Sequence, residues 1–179
     1  MYRVEKELFK KEKINTYAIV DSAVNEEILR YINRRGVERK ILYRDREDRR
    51  DLSRKAPYLV ELHKDNVDTH KLLKEGYGHN WGCFVLSYFS IKELSRHFTN
   101  YTKIYSEVHE QNIYMRFYDP RTINKYLNIL NKEESLEFFS KISTLYVEKV
   151  DEPQILLKYN YEIEKQRIQK EEIILEEEI

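Results

Sequence analysis

The chain has a single cysteine, Cys83, in 179 residues. One thiol excludes an intramolecular disulfide and any zinc cluster built on cysteines. It also suits a reducing compartment. Net charge is missing too, because 32 Lys and Arg balance 32 Asp and Glu. Nucleic-acid-binding domains are usually basic, so this balance makes no general case for nucleic acid. No apolar run approaches the roughly 20 residues of a membrane-spanning helix. Residues 1–13 are charged and lack an apolar run, so no signal peptide is expected. Glycine and proline are sparse, at four and three. Gly76-Tyr77-Gly78 leads into His79 rather than a phosphate-cradling loop, and no serine sits in a G-x-S-x-G turn. These absences predict a soluble cytoplasmic protein with no membrane span, no nucleic-acid partner and no cofactor.

What is present supports a folded core. Hydrophobic residues make up 41% of the chain against 36% charged. The length suits one domain, or one domain with a small appendage. Tyrosine is abundant, at 15 residues. Its apolar ring and polar tip serve cores and binding surfaces alike.

Patterning predicts an α/β fold. Tyr17-Ala18-Ile19-Val20, ending at Asp21, reads as a buried strand. Asn25 is placed to cap a helix carrying Ile28, Leu29 and Ile32, which Gly36 ends. Lys40 to Tyr43 is a second strand, and strand–helix–strand at this spacing predicts a parallel pair. Pro57 to Leu62 is a third strand, followed by a helix capped by Asp65 or Asn66. Trp81 to Tyr88 is apolar on both faces, the pattern of a covered central strand. Ser90 and Glu93 form a capping box ahead of Ile91, Leu94 and Phe98. Tyr101–Tyr105 and Ile113–Tyr118 are expected to form a hairpin. In the second of these, Ile113, Met115 and Phe117 point inward, while Tyr114, Arg116 and Tyr118 share the other face. A helix carrying Ile123, Tyr126, Leu127 and Leu130 comes next, then a short one with Leu136 and Phe139. Leu145 to Val147 and Ile155 to Leu157 are further strands.

From Asn160 to Ile179 seven glutamates face three basic residues, which reads as a charged helix or frayed tail. Ile168, Leu175 and Ile179 are its candidate apolar stripe, placed to dock on a partner helix or a second copy. The expected architecture is a mixed β-sheet flanked by helices, with a charged helical C-terminal extension. It divides into an α/β domain over 1–150 and a strand/helix extension over 151–179.

The chemistry concentrates in Arg116-Phe117-Tyr118-Asp119-Pro120-Arg121. Proline excludes helical angles before it and suits the first turn of a helix, so a strand stops here and Asp119 caps the next helix. Asp21 is the other aspartate at the end of a buried strand. If the two converged, they would form the start of a metal-dependent phosphodiesterase site with Arg116 and Arg121. Such hydrolases need two or three carboxylates together, so the capping role is the stronger reading and no catalytic or metal-binding set is assigned. Cys83 lies in an apolar strand, where cysteine is usually inert. His63 and His70 lack a recognised ligand spacing. His97 is read as packed or partner-facing. Arg44 to Lys55 mixes acids with bases and reads as a self-paired, solvated loop.

Five blocks in order carry a resemblance. They are Tyr17 to Ala23, Ala56 to Leu62, Trp81-Gly82 leading to Ser87, Ser90 through Glu93-Leu94 to Phe98, and Arg116 to Arg121. At this spacing the chain resembles the effector-chaperone or adaptor family of bacterial type VI secretion, usually filed as a domain of unknown function. The resemblance runs from about Thr16 to Phe139. Phe98 and Thr99 depart from the leucine and basic residue common there. It implies a non-enzymatic protein that binds a toxic effector and helps load it onto the spike, either the valine–glycine-repeat trimer or its PAAR-repeat tip. The candidate partner-binding or scaffold residues are Tyr114, Arg116, Tyr118, Asp119, Arg121, Asp21 and His97.

Overall fold

A computed structural model describes residues 4–44 and 52–177. In chain order it holds α1 (Val4–Leu8), β1 (Asn15–Asp21), α2 (Glu27–Ile32), β2 (Arg39–Ile41) and β3 (Pro57–Leu62). Next come α3 (Val67–Gly76), β4 (Gly82–Ser87), α4 (Ile91–Thr99), β5 (Lys103–Ser106) and β6 (Gln111–Tyr114). The chain ends with α5 (Pro120–Ile129), α6 (Lys132–Phe139), β7 (Thr144–Glu148), β8 (Ile155–Glu162) and β9 (Arg167–Ile174).

Seven strands form one sheet in the order β2-β3-β1-β4-β7-β8-β9. The fold is α/β, and each of its strand ladders is antiparallel. β1 and β2 do run the same way, because both are antiparallel to β3. They are not neighbours, since β3 lies between them. The expected parallel pair is thus corrected to two strands separated by a third.

Alternation along the central strands sends side chains into two cores. Tyr17, Ile19, Cys83 and Val85 enter one, and Ala18, Val20, Phe84 and Leu86 the other. The first is covered by α4, α5 and α6 through Leu94, Phe98, Ile123, Leu127 and Phe138. The second is covered by α1, α2 and α3 through Val4, Leu8, Ile28, Ile32 and Leu72. Both faces of the central strands are therefore covered, which explains their continuous apolar runs.

Caps set the helix starts. Asn66 accepts from the Asp68 and Thr69 amides, and Ser90 with Glu93 forms the expected capping box. Asn25 accepts from the Glu27 amide at 2.9 Å, at the entrance to α2. On α6, Phe138 is buried and the expected Leu136 is 52% exposed.

Two expected elements differ. β6 ends at Tyr114 and pairs with β5 in a separate two-stranded sheet. Beyond it the Asp119 amide donates to the Arg116 carbonyl at 3.1 Å, closing a turn. The two-residue alternation ends at that turn, so Phe117 and Tyr118 are both buried instead of pointing to opposite faces. The expected surface of Tyr114, Arg116 and Tyr118 on one strand does not form.

The second difference is the charged helical extension, which is instead the β8–β9 hairpin paired onto β7. The chain reverses at Ile163–Gln166, with Gln166 at φ +49°. Lys158 sits opposite Glu171 in register, 2.7 Å apart. Charge here decorates a strand pair rather than a helix. Ile168 and Leu175 pack toward opposite cores, and Ile179 lies outside the described residues. So does most of the Arg44 to Lys55 loop, of which Ser53–Lys55 is a 3-10 turn.

Candidate functional site

The site lies where β1 ends against the turn into α5. β1 carries Asp21 to one end of the sheet, where its side chain is almost wholly buried. One carboxylate oxygen accepts from the Ala23 amide at 2.9 Å. The other accepts from the Tyr118 hydroxyl at 3.4 Å and lies 3.3 Å from an Arg116 guanidinium nitrogen. Burial pushes the Tyr118 phenol far above its usual range, and the Asp21 charge adds to the shift. Tyr118 therefore stays a donor.

Asp119 caps α5. Its carboxylate accepts from the Arg121 amide at 2.9 Å, from Arg121 Nε at 2.8 Å and from Nη2 at 2.5 Å. Burial alone would raise this carboxyl. The Arg121 hydrogen bonds, with the charges of Arg121 and Arg116, outweigh it and hold the group below its usual range. The fork geometry of guanidinium suits this two-point grip. Thr122 closes the corner by donating to the Arg116 carbonyl at 2.8 Å. Phe117 anchors it from below, stacked on Phe98 with centroids 5.6 Å apart.

Asp21, Arg116, Tyr118, Asp119 and Arg121 are thus brought together. Arg116 links the halves, being paired to Asp21 and within electrostatic reach of Asp119. Both arginines keep about half of their side chains exposed. Tyr114 stands apart on the hairpin, its ring 5.0 Å from that of Tyr43. His97 is a core residue of α4, with Nε2 2.8 Å from the Phe138 carbonyl. Burial lowers its pKa, and the bond to the Phe138 carbonyl opposes that in part. The partner-facing reading of His97 is corrected, because aromatic rings of Phe98, Tyr101 and Phe138 enclose it.

Sequence reading missed Glu148. It ends β7 as Asp21 ends β1, and both strands are antiparallel to β4, so both acids reach the same end of the sheet. Glu148 is buried and accepts from the Gly78 and Asn80 amides, the latter at 2.5 Å. Burial raises its pKa, those two bonds oppose the rise, and Asp119 adds to it. Its signal was available: an acid directly after the apolar triplet Leu145 to Val147.

Asp21 and Asp119 are each engaged by an arginine. Among the described residues no group of three or more His, Cys, Asp or Glu is arranged to hold a metal ion. Cys83 is buried, and that burial raises its thiol pKa strongly. The two carboxylates of the corner are each paired with a half-exposed guanidinium.

A family model described as a domain of unknown function, DUF4123, matches residues 16–136. The chain belongs to this family. The matched segment begins in β1 and ends in α6, so it contains the whole corner. β7, β8 and β9 lie beyond it and complete the same sheet. No curated protein and no solved structure matches the chain. No helix among the described residues is long and apolar enough to cross a membrane.

Proposed function

We propose that this chain is a non-enzymatic adaptor that binds a type VI secretion effector and helps load it onto the spike. The observation that carries the reading is the corner itself. Asp21 and Asp119 are buried and satisfied by Tyr118, Arg116, Arg121 and backbone amides, while both guanidinium groups stay half exposed. Such a corner presents two oriented arginines on a rigid base. Arginine is enriched at protein interfaces because its planar fork makes directional contacts. The ordered blocks from Tyr17 to Arg121 support the family context.

The metal-dependent phosphodiesterase reading draws less support. Its two carboxylates already accept hydrogen bonds from their neighbours, and a metal would have to displace both arginines. The adaptor acts in the cytoplasm, before its cargo is loaded. Co-expression with an effector encoded nearby, followed by tag pull-down and gel filtration, tests this. The effector is expected to remain bound through both steps. A folded chain that retains neither effector nor spike protein counts against it.

A further inference from the structure

β9 is the last strand of the sheet, and its outer edge has no strand partner among the described residues. The direction of its backbone groups is set by its neighbours. The Lys149 amide donates to the Ile155 carbonyl at 3.0 Å, which turns the odd-numbered residues of β8 toward β7. Its even-numbered residues then bond β9 at Arg167, Gln169, Glu171 and Ile173. The Leu175 amide, donating to the Gln154 carbonyl at 2.8 Å, keeps the same phase. The backbone groups of Ile168, Lys170, Glu172 and Ile174 therefore face the open edge.

We infer that this edge pairs with β9 of a second copy, antiparallel about a two-fold axis at Glu171. A two-fold axis normal to the sheet keeps each face on its own side, so only residues of equal parity can oppose each other. Bonding must also join the outward, even-numbered residues. One register satisfies both conditions and matches charge. Lys170 opposes the second copy's Glu172, and Ile168 opposes its Ile174, each pair occurring twice. A slip by one pairing step in either direction sets Lys170 against Lys170 or Glu172 against Glu172. Charged residues on an edge normally repel a passing strand; here they complement their own copy in that register. Ile174, 81% exposed in the single chain, gains a partner. The two Glu171 side chains meet at the axis, and each already has Lys158 of its own chain at 2.7 Å. This pairing does not depend on the adaptor reading.

Light scattering on the full chain over rising concentration tests it. The expected mass moves from 22.0 kDa toward twice that value. Lys170→Glu places like charges opposite each other twice and is expected to weaken the dimer about tenfold. The charge swap Lys170→Glu with Glu172→Lys restores it. A wild-type monomer at every concentration overturns the inference. So does a dimer indifferent to Lys170→Glu, a swap that fails to restore association, or a monomer that pairs this edge with an effector strand. If a charge variant unfolds by circular dichroism, a cross-link replaces it. Lys170→Cys mixed with Glu172→Cys forms a disulfide between copies, and Lys170→Cys alone does not. Equal cross-linking in both, or none in the mixture, overturns the register.

Discussion

The Arg116 guanidinium sits 3.3 Å from the Asp21 carboxylate, half exposed above a buried partner. This contact ties the turn before α5 to the end of β1. The two residues do not share the energy equally. Asp21→Ala removes the acceptor for the Ala23 amide, the Tyr118 hydroxyl and Arg116 together. It is expected to cost about 2 kcal/mol, because a buried phenol loses its partner. Arg116→Ala costs about 1 kcal/mol or less, since water reaches the exposed guanidinium site. Urea unfolding of both variants checks the ranking, and the reverse order would contradict it.

Asp119 adds a dependence on acid. Its folded pKa lies below the unfolded one, so its contribution is complete above the unfolded value and is lost as pH falls through the folded one. Stability should therefore drop below about pH 4. Asp119→Ala removes the cap, costs about 1–2 kcal/mol at neutral pH and flattens this acid limb. Asp119→Asn recovers part of the loss, because it can still accept from the Arg121 amide.

His97 sets a second limb at higher pH. Its folded pKa is lowered, so the unfolded chain takes up a proton that the folded core refuses. Stability is complete above about pH 6.5 and falls below it. His97→Gln, which can still donate to the Phe138 carbonyl, is expected to remove that slope in urea titrations between pH 5 and 7. Glu148, with a raised pKa, works in the opposite sense as pH falls.

Gly82 is the backbone position least tolerant of a side chain. Its φ is +157°, and an added Cβ would lie 1.7 Å from the Ile19 carbonyl oxygen, across the β1–β4 ladder. Gly82→Ala should abolish accumulation of folded protein. Gly36, at φ +89°, has nothing within 4 Å of the same atom. Gly36→Ala costs only backbone strain, about 1 kcal/mol. Equal yields of the two variants would refute this contrast.

Local signals carried much of the fold. The capping box of Ser90 and Glu93, the Asn66 cap and the Asp119-Pro120 start of α5 each depend on residues a few positions apart, and each forms. The two-sided apolar run at Cys83 to Leu86 placed β4 in the centre of the sheet. Long-range pairing was not legible. Sequence grouped Asp21 with Arg116 only on the condition that two strand ends converge, and their contact depends on where β1 ends relative to a turn far along the chain. β9 was misread because Arg167 to Ile174 alternates weakly and is rich in glutamate, and its strand state comes from pairing with β8. Tyr118 was misread because the turn at Arg116 ends the alternation one step before the core captures the ring.

Capture of cargo is the measurement that bears most directly on the adaptor reading. The tagged chain is co-expressed with the neighbouring effector and spike protein, and bound proteins are quantified after gel filtration. Retention of the effector is expected, reduced by Arg116→Lys with Arg121→Lys, which keep a positive charge beside Asp21 and Asp119 but lose the planar fork. A folded chain that elutes alone, with neither protein bound, would contradict it.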